Sequence, residues 1–158
     1  MKRSALEAAV VTNHEIFLRT SDRTEVALAE HGLTHATAHA LWAIDPAQPP
    51  PPMKELASRL HCNAPNLSFV MNQLAARGLV ERSADPADRR SRVVALTEEG
   101  RRVRTAVIEA TLALSPLARL EGDDLLHLVT LLGKALGADP DPDGEGVRQD
   151  AVEDPASG

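Results

Sequence analysis

The stretch from Lys54 to Thr97 constrains the fold most, because its hydrophobic period changes from helical to extended part-way along. Apolar residues first recur at the spacing of a helix and are interrupted once, at residues 61–63. The recurring apolar positions are Leu56, Ala57, Leu60, Leu67, Val70, Met71 and Leu74. This pattern predicts two short helices with a tight join, which is a helix-turn-helix.

The second of these helices has a start and a stop that the sequence defines. Asn63 can cap it, Pro65 lies in the first turn, and Gly78 can leave it with positive φ. Residues 79–83 and 92–96 then include β-branched residues, and the connection between them is rich in turn formers with two arginines at its tip. The order helix, turn, helix, basic-tipped hairpin predicts a winged helix. Such a helix fits a DNA major groove, and such a wing fits the adjacent minor groove.

The segment LASRLHCNAPNLSFVMNQLAARGLVERSADPADRRSRVVALTEEG resembles the DNA-binding core of the MarR family of bacterial transcriptional regulators. The resemblance is most specific in the wing, where Asp88–Arg90 is followed by Leu96–Thr97 and Gly100. It extends more weakly over roughly residues 6–136. The resemblance implies a homodimeric regulator, a repressor in the leading interpretation, that binds a pseudo-palindromic double-stranded DNA operator.

The implied fold is mainly α (α+β), a winged helix-turn-helix whose N- and C-terminal helices form a dimerisation domain. Residues 1–34 and 101–137 are expected to form the helical dimerisation region, and residues 35–100 the DNA-binding domain. Residues 138–158 are predicted to be a disordered acidic tail, because they are rich in Asp, Pro and Gly and have no apolar pattern. Leucines of the last helix, residues 125–136, occupy more than one face, which favours burial against a second copy together with the first helix.

The distribution of charge supports a nucleic-acid partner although the formal net charge is -6. Seven acids and one base lie in residues 139–158, so the remainder of the chain is neutral overall. Residues 53–104 contain ten bases and six acids, on the same stretch that the hydrophobic pattern selects. A solvated basic face would explain the charges alone, but not their coincidence with a winged-helix pattern.

The predicted recognition helix has no Lys or Arg between Asn63 and Ala76. Its groove contacts would have to come from neutral side chains, with Asn or Gln pairing with adenine and Phe69 against a thymine methyl, unless Phe69 belongs to the core. By resemblance, Arg90 enters the minor groove and Asp88 steadies it. The predicted DNA-binding residues are Asn63, Pro65, Asn66, Ser68, Phe69, Asn72, Gln73, Arg77, Asp88, Arg89, Arg90 and Arg92.

Histidines and the single cysteine raise a rival hypothesis, a metal- or redox-sensing regulator. His31, His35 and His39 recur at intervals of four, but a helix break separates the first two, so capping, core or pocket roles are favoured over a metal site. Cys62 lies in the predicted turn, where a buried inert thiol is favoured over a redox switch. No metal or cofactor is expected.

The resemblance also implies a small anionic or phenolic effector bound between the dimer helices and the winged helix. Candidate pocket residues are His14, Phe17, His39 and Trp42. No nucleophile elbow, phosphate loop or HExxH motif supports an enzyme. The single cysteine and the lack of a long apolar run favour a cytoplasmic protein without a membrane partner. The remaining alternative is a winged-helix protein-interaction dimer that does not bind DNA.

Overall fold

The computed structural model describes residues 1–137, so the predicted acidic tail lies outside the described residues. The helices and strands are α1 Lys2–Glu30, α2 His35–Ala43, α3 Met53–Arg59, α4 Ala64–Ala76, β1 Val80–Ala84, β2 Arg92–Leu96, α5 Glu98–Leu114 and α6 Gly122–Leu136. A short 3₁₀ helix, Pro116–Arg119, follows α5. The described residues divide into two compact units, residues 1–118 and residues 119–137. The predicted order of helices and strands is confirmed.

The turn between α1 and α2 follows from local chemistry. Gly32 has a φ of +62°, in the left-handed region that favours glycine, and the Leu33 N–H donates back to the Leu28 carbonyl at 2.9 Å. Thr34 then caps α2 in a capping box, because its hydroxyl accepts from the Thr37 N–H and the Thr37 hydroxyl accepts from the Thr34 N–H.

The helix-turn-helix packs against α2 and α5 around one apolar core. Leu41 of α2, Leu56 of α3 and Met71 of α4 are all fully buried. The turn between α3 and α4 contains His61 with a φ of +49°, the only non-glycine with positive φ in the described part of the chain. Asn63 caps α4 by accepting the Asn66 N–H at 2.9 Å, as predicted.

The wing is a two-stranded antiparallel sheet in which Arg82 faces Val94. Strand β1 begins and ends one residue later than predicted, whereas β2 spans the predicted residues. The proline-rich segment before α3 joins the wing. Pro51 accepts the Val94 N–H at 3.1 Å, and Pro52 forms an isolated antiparallel bridge with Val93.

The start of α5 is fixed to the start of the wing. Thr97 caps α5 by accepting the Gly100 N–H at 2.9 Å, and its own hydroxyl donates to the Gly78 carbonyl at 2.6 Å. A side chain at position 100 would not fit, because a Cβ there would lie 1.8 Å from the Leu79 carbonyl oxygen. Gly100 therefore allows α5 to approach the wing closely.

The apolar stripe predicted to be buried on α1 is mostly exposed in the single chain. Leu28 is buried, but Leu6, Val10 and Phe17 are each about 60 % exposed. The sequence predicted that α1 is buried together with α6 against a second copy, which a single chain does not test. In the second unit, α6 has no buried residue, and Leu126 and Val129 are among its exposed side chains. Among the helices of residues 1–137, none combines the length and apolar character that crossing a membrane would require.

Candidate nucleic-acid interface

Helix α4 has one buried face and one exposed face of neutral side chains. Leu67, Met71 and Leu74 are buried, at the spacing expected for a helix that packs on one side. The exposed positions are Ala64, Pro65, Asn66, Phe69, Asn72, Gln73, Ala75 and Ala76, while Ser68 is half-buried. Helix α4 has thirteen residues and is about 20 Å long. Its diameter with side chains, about 10–12 Å as for any α-helix, suits a major groove about 12 Å wide.

Phe69 belongs to this exposed face. Its side chain is 64 % exposed, so the alternative that it completes the core is wrong. An exposed phenyl ring between hydrogen-bonding side chains presents an apolar surface to whatever lies against α4.

The tip of the wing is folded by two aspartates. The Asp85 carboxylate accepts the Ala87 N–H at 2.9 Å, and the Asp88 carboxylate accepts the Arg90 N–H at 3.0 Å. Asp88 thus steadies the backbone of Arg90, as an Asx turn does.

Three arginines of the wing are exposed without an ion-pair partner. Within residues 1–137, no acid lies at salt-bridge distance from Arg89, Arg90 or Arg92. The three ion pairs found there are Arg19–Glu15, Arg59–Glu55 and Arg102–Glu99. The wing therefore presents uncompensated positive charge beside an uncharged helix.

A fourth arginine joins the wing to α4. The Nη2 of Arg82, on β1, donates to the Asn72 Oδ1 at 2.8 Å and to the Ser68 carbonyl at 3.2 Å. Arg82 was absent from the predicted interface, because sequence spacing does not show which side chains of α4 a strand residue contacts.

Arg77 has a different environment from the one predicted. Its Nη2 donates to the His31 carbonyl at 3.0 Å, and its guanidinium lies so close to Gly32 that a Cβ there would be 2.0 Å from Nη2. Arg77 therefore fastens the end of α4 to the turn after α1. This contact argues against its predicted role as a phosphate ligand, since its guanidinium is held against the protein.

Among the surface depressions of the described residues, two lie on residues 1–118, and neither is lined by the candidate pocket residues. One, of about 280 Å³, is lined by Val11, Thr12, Glu15, Ile16, Arg19 and Pro116. The other, of about 410 Å³, is lined by Glu30, His31, Arg77, Leu79, Glu99, Arg102 and Val103. The Arg102 guanidinium, by its hydrogen bond, lowers the pKa of the Glu99 carboxyl below its ordinary value.

The candidate pocket residues His14, Phe17, His39 and Trp42 are all exposed in the single chain. In the described residues, no group of three or more His, Cys, Asp or Glu side chains comes together as a metal site would require. Cys62 is a half-buried free thiol that packs against the core.

The family model described as MarR family matches residues 33–91, which include the helix-turn-helix and the tip of the wing. Residues 33–91 are therefore similar to the DNA-binding segment of the MarR family. A search of the curated proteins found no match.

Three solved structures resemble the chain over most of its length. The transcriptional repressor CouR, bound to a 23-mer DNA duplex, is 27% identical, with 85% of this chain and 95% of that chain covered and a TM-score of 0.68. A mutant MarR from E. coli complexed with operator DNA is 23% identical, with 84% and 96% covered and a TM-score of 0.67. AbsC from Streptomyces coelicolor is also 23% identical, with 83% and 90% covered and a TM-score of 0.68. The latter two support the fold alone.

Proposed function

We propose that this protein is a MarR-family transcriptional repressor that binds a pseudo-palindromic duplex operator as a homodimer. Helix α4 would lie in the major groove and the wing in the adjacent minor groove. The observation that carries the proposal is the pairing of an exposed, uncharged, hydrogen-bonding face on α4 with unpaired arginines on the neighbouring wing. CouR bound to a DNA duplex, at 27% identity, supports it.

Base contacts would come from the exposed amides and the phenyl ring of α4. Asn66, Asn72 and Gln73 can donate to or accept from base edges, and Phe69 can contact a thymine methyl. Asn63 and Pro65 would fix the start of the helix at the groove. None of these side chains carries a charge. They would therefore discriminate between base pairs rather than attract the phosphate backbone over a distance.

Phosphate and minor-groove contacts would come from the wing. Arg90 would enter the minor groove with its backbone held by Asp88, and Arg89 and Arg92 would lie beside the sugar-phosphate backbone. Arginines that are not already paired with acids can release counterions from DNA, which gives affinity that depends steeply on salt.

Homodimerisation would bury the apolar side chains that one copy leaves exposed. On α1 these include Leu6, Val10 and Phe17, and on α6 they include Val129 and Leu132. Exposed apolar surface of this extent marks an interaction site. A dimer also matches a two-fold DNA site, since each copy would occupy one half-site.

Aspartates at two exposed positions of α6 test the dimer without disturbing a core. We expect Val129→Asp with Leu132→Asp to produce folded monomers in sedimentation experiments at micromolar concentration, and to weaken operator binding. Lys134→Asp, on the same helix but at a polar position, is the control and should remain dimeric. A monomeric, folded wild type would contradict the proposed assembly.

The regulator would respond to a small anionic or phenolic effector bound between the dimerisation helices and the winged helix. Residues 1–34 and 101–137 would form the dimerisation region and residues 35–100 the DNA-binding domain. The effector would alter the spacing of the two recognition helices. His14, Phe17, His39 and Trp42 remain candidates for this pocket, which two copies would have to complete.

A salt titration of duplex binding tests the DNA-binding function. A regulator of this kind should bind random-sequence duplex weakly and should enrich one pseudo-palindromic sequence from a random pool. Its affinity should fall with salt, so that log K decreases linearly as log salt concentration increases. A protein-interaction dimer would enrich no sequence and show no such slope.

A further inference from the structure

Arg82 makes a contact that the proposed binding mode does not use. Its side chain crosses from β1 to α4, where one nitrogen donates both to the Asn72 Oδ1 and to the Ser68 carbonyl. Ser68 and Asn72 are four residues apart on α4, so they are neighbours on one side of the helix. The guanidinium is thereby held at two points beside the exposed face of α4.

The chemistry of the two groups decides which way the Asn72 amide faces. A guanidinium can only donate hydrogen bonds, whereas an amide has an oxygen that accepts and a nitrogen that donates. The atom of Asn72 that contacts Arg82 must therefore be the oxygen. Its NH₂ group has no hydrogen-bond partner among residues 1–137, and the residue is exposed.

We propose that Arg82 is a specificity-determining positioning residue, which fixes the Asn72 amide so that its NH₂ faces the base edges. The inference rests on the proposed binding of duplex DNA by α4. It assigns to Asn72 a base that presents an acceptor in the major groove, such as guanine through O6 and N7 or thymine through O4. An unrestrained Asn could instead pair with adenine through both groups, its oxygen accepting from N6 and its NH₂ donating to N7, as the sequence alone suggests.

A purely structural contact would behave differently from this one. If Arg82 only fastened the wing to α4, its removal would weaken binding to every duplex, or lower thermal stability, without changing which base is preferred. A positioning role instead predicts a change at one base pair in each half-site. The base preference is therefore the measurement that separates the two roles.

The experiment begins with full-length wild-type protein and a pool of random-sequence duplexes. The enriched sequence is then varied one base pair at a time, and the affinity for each variant is measured with wild type, Arg82→Met and Asn72→Asp. With Arg82→Met, which removes the donors and nearly keeps the length, discrimination at one position per half-site should fall by about tenfold or more. Discrimination at the other positions should persist.

Asn72→Asp keeps the acceptor for Arg82 but has no donor to turn towards the DNA. Its preferred base pair should change to one that presents an amino group, cytosine N4 or adenine N6, at the same position. This variant retains the contact between the wing and α4, so it remains informative if Arg82→Met fails to fold.

Two further variants are the controls. Arg92→Met removes the same charge from the other strand of the wing, where no contact with α4 is found in the described residues, and should weaken all duplexes equally. Arg82→Lys keeps a donor and should retain much of the wild-type preference. If Arg82→Met keeps the wild-type base preference, or if Asn72→Asp does not change it, the inference is wrong. If wild type enriches no sequence, the proposed function itself fails.

Discussion

The recognition helix α4 and the wing differ in almost every physical property although they lie side by side. Helix α4 has a capped start, a buried face and no charged residue. The wing tip has little burial, is folded by two aspartate turns, and presents arginines without acid partners in the described part of the chain. The comparison teaches that attraction to phosphate and discrimination between bases can be assigned to separate elements of one winged helix. Each prediction below tests that separation.

The largest effect is expected from removing the wing charges, in Arg89→Ala with Arg90→Ala. A dimer would lose four cations near DNA, so the slope of log K against log salt should fall by about 3 to 4 units. Operator and unrelated duplex should weaken by similar factors. The control, Arg89→Lys with Arg90→Lys, keeps the charge and should keep the slope. An unchanged slope in the alanine variant would place the phosphate contacts elsewhere.

Asn66→Ala should have a smaller and different effect. The Asn66 backbone N–H is held by Asn63, but its side chain is exposed and carries no charge. The salt slope should therefore persist, while discrimination against one base pair in each half-site falls by about 1–3 kcal/mol. Gln48→Ala, an exposed amide outside both elements, is the control. If Asn66→Ala discriminates as wild type does, base contacts must come from other residues of α4 or from DNA shape.

Arg77→Gln distinguishes a structural arginine from a DNA-binding one. Because the Arg77 guanidinium donates to the His31 carbonyl, we expect the free energy of unfolding to fall by about 1 kcal/mol in thermal or urea denaturation. The salt slope should be nearly unchanged. A slope that falls by about one unit per half-site would instead support the phosphate contact that the sequence predicted.

Truncation after Gly137 should have the smallest effect. It removes seven acids and one base, so it leaves residues 1–137 neutral overall and reduces repulsion from phosphate. Duplex binding should tighten modestly at low salt and match the full-length chain at physiological salt, where charges are screened beyond about 8 Å. The melting temperature should hardly change, and a large decrease would contradict the predicted disorder of the tail.

The sequence predicted the elements well where local residues determine them. Asn63 caps α4 and Gly78 has a positive φ at its end, both as predicted. Local signals suffice here, because caps and turns depend on neighbours in sequence.

The sequence did not predict the features that depend on contacts between residues far apart in the chain. It did not indicate that Arg77 would contact His31, that Arg82 would contact Asn72, or that Pro51 would bond to the wing. Long arginine side chains reach different partners according to how helices and strands pack, and periodicity contains no such information.

The contact between the proline-rich segment and the wing also bears on aggregation. An uncovered strand edge can pair with another molecule and begin polymerisation. Here Pro51 and Pro52 lie against the edge of β2, and proline has no N–H with which to extend a sheet. The wing can therefore present its tip to a partner while this side of its sheet is closed to further strands, which should help the protein remain dispersed at high concentration.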